Sequence, residues 1–126
     1  WALCFPQDSE AERNRAVHDL MRAQEVEVVT PLLDYLAARN DLRLIGPRRA
    51  EDRAPTVAVA LDREAEPVSE NLGRDGIACW AGDFYAVRPL EALGVDRARG
   101  VLRLSFVHYT TEAEVAQLIG ALDRVL

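Results

Sequence analysis

The chain has 126 residues, 49% of them hydrophobic and 29% charged, which suits one folded domain with a modest core rather than a disordered chain. Its 15 basic residues stand against 21 acidic ones, a net charge of -6, so neither nucleic acid nor an acidic membrane surface is an expected partner. No apolar run approaches the ~18 residues that a bilayer span requires, and nothing reads as a signal peptide; a soluble, cytoplasmic protein is expected.

In chain order, Ser9 and Glu12 match a capping box and predict a helix from about Glu10 to about Arg39. Val17, Leu20, Met21, Val28, Leu32, Tyr35 and Leu36 recur along it close to the helical period. At ~1.5 Å per residue, an element over residues 8–40 spans on the order of 45 Å. That exceeds the rest of a small domain, so it is expected to be a connecting helix with one end packed on something else. Pro31 removes one backbone donor, which predicts a kink near Val28 to Pro31.

A short strand follows at Asp41 to Ile45, stopped by Gly46-Pro47, and Arg48 to Pro55 reads as an exposed loop. Thr56 to Leu61 is the clearest strand, with Val57, Val59 and Leu61 alternating with Ala58 and Ala60. The alanine face would admit close approach by another element. Pro67 to Arg74 predicts a short helix, with proline in its first turn and Gly76 past its end. Ile77 to Ala81 predicts a third strand, Phe84 to Leu93 a short helix or turn limited by Pro89, and Val101 to Val107 a fourth strand. A second capping box, Thr111 with Glu114, opens a last helix carrying Val115, Leu118, Ile119, Leu122 and Val125 on one face. Residues 1–126 thus read as a single two-layer α+β domain, a four-stranded, mostly antiparallel sheet with helices packed on one face.

Every one of the 15 basic residues is arginine. Covalent amine catalysis through a Schiff base is therefore closed to this chain, because a guanidinium stays protonated. Cys4 and Cys79 make no disulfide framework, and with His18 and His108 they match no zinc spacing, so no metal site is expected. His108 is expected to be a hydrogen-bonded structural residue and His18 a surface or interface one rather than a ligand. No Ser/His/Asp arrangement supports a small hydrolase.

The pleat of the fourth strand sends Leu102, Leu104 and Phe106 one way, beneath the last helix, and Val101, Arg103, Ser105 and Val107 the other. An arginine in mid-strand needs a partner or water. A carboxylate matched to its planar fork is the natural one. That carboxylate belongs either to the chain's own acids or to a ligand; solvent exposure is the third option.

From Gly76 the sequence runs Gly-Ile-Ala-Cys-Trp-Ala-Gly-Asp-Phe-Tyr-Ala, then Leu90-Glu91-Ala92-Leu93-Gly94, then Gly100-Val-Leu-Arg-Leu-Ser-Phe-Val-His-Tyr-Thr-Thr111. With the long first helix, "LRLIGP" and "RAPTVAVAL", this resembles nearly the whole small, carboxy-terminal domain of aminotransferase class V and cysteine desulfurase-like enzymes. The opening Trp-Ala-Leu-Cys-Phe-Pro fits the expectation of a piece of a longer polypeptide. The resemblance implies the small domain of a fold-type I enzyme dependent on pyridoxal phosphate, whose large domain carries the Schiff-base lysine. It implies that Arg103 grips the α-carboxylate of an amino-acid substrate, that no catalytic residue lies in this chain, and that the complete enzyme is a homodimer.

The same resemblance makes Gly82, Asp83, Phe84 and Tyr85, running on to Ala86, an active-site loop. Tyr85 stands where desulfurases place a mobile cysteine. A phenol of pKa ~10 does not replace a thiolate as sulfur acceptor, so persulfide chemistry is not expected. Cys79, within the preceding strand, is expected to be structural. Thr110-Thr111 stands where the family has Asn-Thr. The alternative is a stand-alone α+β binding or dimerisation module, which would not require the 82–86 loop together with Arg103.

Overall fold

A computed structural model describes residues 9–126; Cys4 lies outside the described residues. Helix α1 (Glu10–Ala37) leads into strand β1 (Leu42–Ile45), a short 3-10 turn (Ala50–Asp52) and β2 (Thr56–Leu61). Then come α2 (Glu66–Arg74), β3 (Trp80–Gly82), α3 (Val87–Ala92), β4 (Val101–Ser105) and α4 (Glu112–Val125). The strands form one sheet in the order β1-β2-β4-β3, and every neighbouring pair is antiparallel. No described helix is long and apolar enough to cross a membrane.

Both capping boxes form. At α4 the Thr111 hydroxyl accepts from the Glu114 N–H at 3.2 Å, and the Glu114 carboxylate accepts from the Thr111 N–H at 2.8 Å. Those Thr111 donors, backbone first and hydroxyl second, hold the Glu114 carboxyl below the usual carboxylate range. A depressed folded value means that this capping contribution is full above the ordinary value of 4.5 and fades as pH falls through the folded one. Helix α1 passes through Pro31 without interruption, and the Thr30 hydroxyl donates to the Val26 carbonyl at 2.7 Å.

The alternation read in β2 and β4 decides the layers. Val57, Val59, Leu102 and Leu104 are buried on one face against Val28, Leu32 and Leu36 of α1, Leu72 of α2 and Leu118 and Leu122 of α4. Each fully buried leucine or valine contributes roughly 1.5–3 kcal/mol, so this layer carries most of the stability. Burial along α1 begins only at Val28; Leu20, about two turns before the start of that layer, is 61% exposed. The other face is partly covered. Leu90 of α3, with Val95 and Val101, packs over Ala58, Ala60 and Phe84, using the close approach that the alanines permit.

Helix α3 starts at Val87 rather than Phe84, because the Ala86 N–H closes a turn on the Asp83 carbonyl. Two strands also differ from the sequence reading by more than one residue, each for a hydrogen-bonding reason. Residues 77–79 are not in the sheet, because the Ile77 N–H closes the end of α2 on the Leu72 carbonyl at 2.9 Å and the Cys79 carbonyl accepts from Ser69 at 3.3 Å. Strand β3 is therefore the later and shorter Trp80–Gly82 rather than Ile77 to Ala81. Strand β4 stops at Ser105, since the Phe106 N–H turns to the Pro55 carbonyl (2.8 Å) and the Val107 N–H to the Thr110 hydroxyl (3.2 Å).

Candidate functional site

The register puts Ile45, Ala58, Arg103 and Trp80 in one row across the four strands, on the face away from α1, α2 and α4. Arg103 thus emerges between a methyl group and an indole. Ala58 lies on the side covered by Leu90, Val95 and Val101, and Trp80, on the other side, is 69% exposed. The guanidinium carbon lies 4.1 Å from the centroid of the Phe84 ring. This is a contact with a π-face and not with an oxygen. Arg39, Arg97 and Arg124, by contrast, hold Asp41, Asp83 and Asp75. Arg43, Arg53 and Arg99 donate to backbone carbonyls. Among the described residues no carboxylate pairs with Arg103, so of the three options left open by its position in the strand, an acid of its own fold is not the one used.

The expected loop lies directly against this arginine. Residues 83–86 form a turn closed by the Ala86 N–H on the Asp83 carbonyl at 2.8 Å. Its two central residues, Phe84 and Tyr85, have φ of 51° and 58°. Positive φ at both central positions is the pattern of a type I′ turn, which glycine, asparagine and aspartate normally supply. Two aromatic residues in that region cost of order 1–3 kcal/mol each. Asp83 holds the turn from inside, accepting from the Tyr85 N–H (3.0 Å) and from Arg97 (2.9 Å). The Arg97 guanidinium beside Asp83 keeps its carboxyl below the usual range, with the Tyr85 N–H adding to the effect. The clamp is therefore fully formed above the ordinary value of 3.8 and loosens only as pH drops through the lowered one. Tyr85 points out of the turn and is 98% exposed.

A glycine pair fixes where the loop starts. A Cβ on Gly100, whose φ is +67°, would lie 2.9 Å from the Gly82 Cα. Gly100→Ala is expected to cost about 2–3 kcal/mol, because it combines a left-handed alanine with a backbone clash, and to displace the 82–86 loop. Urea unfolding reads the first effect. Loss of the Arg103–Phe84 contact in a structure of the variant reads the second.

The structure brings Gly82, Asp83, Phe84 and Arg103 together and leaves Tyr85 reaching away. Cys79 is half-buried on the opposite side of the sheet from Arg103, with its sulfur 3.6 Å from the Ser69 hydroxyl. Burial pushes its thiol up, opposed by the Ser69 contact, which keeps it protonated and unreactive at neutral pH. Thr110 uses its hydroxyl to accept the Val107 N–H, and so keeps the turn into α4 without an asparagine. His108 departs from expectation. It is exposed and meets Tyr109 edge-to-face at 5.2 Å, with no hydrogen bond among the described residues, because the turn at Thr110 carries it off the sheet. His18 lies on the surface next to Asp19.

Three participants were not picked out from the sequence. Trp80 follows from alternation once β3 is framed at 80–82. Phe84 as the partner of Arg103, and Arg97 as the clamp on Asp83, are contacts made 19 and 14 residues away along the chain, and no local pattern announces them. With no lysine, the chain has no side-chain amine that could hold an aldehyde cofactor covalently. What the arrangement offers is a cationic fork free to receive an anion from the open side of the sheet.

Residues 14–118 match the family Aminotransferase class-V. The chain is 31% identical over 107 residues to a probable cysteine desulfurase 2 of Mycobacterium leprae, covering 84% of this chain and 25% of that protein. It is 30% identical over 114 residues to the cysteine desulfurase-like protein ustD of Aspergillus flavus, covering 86% and 26%. Among solved structures, the cysteine desulfurase CsdA of Escherichia coli superposes with a TM-score of 0.69 at 30% identity, over 83% of this chain and 25% of that one. The chain therefore spans about a quarter of the length of each of these proteins. The match runs from α1 into α4, through the loop and the strand that carry the site, and the chain belongs to the aminotransferase class-V family.

Proposed function

We propose that this chain is the carboxy-terminal small domain of a pyridoxal phosphate-dependent enzyme acting on an amino acid, and that Arg103 receives the substrate's α-carboxylate. The observation that carries the reading is the guanidinium itself: it stands on the open face of the sheet, rests on an aromatic ring, and has no carboxylate partner among the described residues. A planar fork of that kind binds a carboxylate through two parallel N–H bonds and fixes its orientation as well as its position. The cofactor, when bound by the rest of the polypeptide, supplies electron withdrawal from the substrate's α-carbon. This chain supplies alignment. Arg103 sets the carboxylate, and Trp80 and the 82–86 loop form the walls.

The exposed first half of α1 supports the same reading, because it offers apolar side chains such as Leu20 to a neighbouring domain. Tyr85 in place of a thiol on the loop, with Cys79 protonated and on the far face, favours chemistry at the amino-acid carbon over sulfur transfer to this chain.

The division of labour is tested by incubation with pyridoxal phosphate, borohydride reduction and peptide mapping. The 126-residue chain is expected to carry no stoichiometric pyridoxyl group on any side chain, and the complete polypeptide one, on a lysine outside these residues. A stoichiometric side-chain adduct within this chain contradicts the proposal.

A further inference from the structure

We infer that Phe84 is a positioning residue, which holds the Arg103 guanidinium by its face so that its N–H donors stay free to take a carboxylate. This rests on the carboxylate-binding role proposed for Arg103. It goes further by assigning the strained aromatic turn a task in that binding.

The physical problem is the freedom of the arginine. An arginine side chain carries about 2 kcal/mol of rotamer entropy, and an exposed one in mid-strand has to be ordered before both N–H bonds to a carboxylate can form. Proteins usually order an arginine with oxygens, as this chain does for Arg39, Arg53 and Arg97. That solution consumes donors. A ring face attracts the cation through its quadrupole without accepting any N–H bond in the plane of the fork. Phe84, 4.1 Å from the guanidinium carbon, provides that arrangement.

The backbone shows that the ring is held there against local preference. Phe84 and Tyr85 both stand at positive φ, where neither residue type is at home. The strain persists because the turn is fixed at several points: Asp83 to Arg97, Asp83 to the Tyr85 N–H, and the Gly82 backbone against Gly100. A loop that only connected β3 to α3 would relax, or would carry glycine or asparagine there. The strain delivers a ring to Arg103.

The test uses the complete polypeptide with its cofactor and the common L-amino acids as probes, the tightest binder being carried forward. Phe84→Leu keeps apolar bulk and the same backbone demand but removes the π-face. It is expected to weaken the dissociation constant about 5- to 10-fold, with thermal stability little changed. Phe84→Tyr and Phe84→Trp are expected to stay within about twofold of the parent, a rescue that apolar filling does not explain. In protein labelled with ¹⁵N-arginine, the Arg103 Nε–Hε resonance, assigned by its loss in Arg103→Lys, is expected upfield of the other arginines through the ring current. This reading stands even if Phe84→Leu does not fold.

If Phe84→Leu binds like the parent while Arg103→Ala does not bind, or if the Arg103 resonance is undisplaced, the positioning role is wrong and the carboxylate site survives. If Arg103→Ala binds like the parent, or the parent binds no amino acid, the site itself is wrong and the inference falls with it.

Discussion

Arg103→Ala in the complete polypeptide is expected to lower kcat/KM for its amino-acid substrate by about 100-fold, while the folded state keeps its stability to within about 1 kcal/mol. The first figure follows from losing a charge-assisted, two-pronged hydrogen bond to a carboxylate, worth about 3 kcal/mol, at roughly tenfold per 1.4 kcal/mol. The second follows from what Arg103 touches. It is exposed and makes no ion pair with a described residue, so its removal strands no acid and forfeits only the contact with Phe84. Arg103→Lys is expected to recover little, because an ammonium is a point charge and cannot present two parallel donors. Steady-state kinetics and a urea titration on the same three proteins check both halves. A variant that loses stability and activity together would mark Arg103 as structural.

The neighbouring residue gives the opposite result. Leu102 is fully buried on the helix side of β4, opposite Val59 of β2 and Ala81 of β3 in the register. Leu102→Ala removes three carbons from a layer closed by α1, α2 and α4, which a central strand cannot collapse to fill. It is expected to cost about 3–5 kcal/mol, against a total stability of about 5–15 kcal/mol for a domain. Chemical denaturation should show a lower midpoint at an unchanged slope, and the protein that remains folded should keep its amino-acid affinity. The two variants together test the proposal that one strand carries stability on one face and recognition on the other. Swapping the outcomes of these two variants would invert that assignment.

The legible parts of the fold are those governed by short-range rules. Ser9 with Glu12 and Thr111 with Glu114 satisfy helix ends within three residues, so both helix starts can be read directly. The alternation of Val57, Val59 and Leu61 with Ala58 and Ala60 depends only on the pleat, and that of β4 places Arg103 on the face opposite Leu102 and Leu104. The frame of β3 was not legible, because the backbone of residues 77–79 is spent on closing α2 and not on the ladder. Nor was the turn at 83–86. Phe84 and Tyr85 favour extended backbone, and what holds them at positive φ is Arg97, Gly100 and Arg103, all later in the chain. Arg103 itself could be placed on a face but not assigned a partner, since pairing with an internal acid and waiting for an external one look alike in sequence.

A crystal structure of the complete polypeptide with its cofactor and an amino acid bound tests the central claim most directly. The amino acid's two carboxylate oxygens are expected about 2.7–2.9 Å from guanidinium nitrogens of Arg103, with the Phe84 ring still beneath the fork. A carboxylate held by other residues, with Arg103 turned to solvent or locked onto an acid of the same polypeptide, would contradict it.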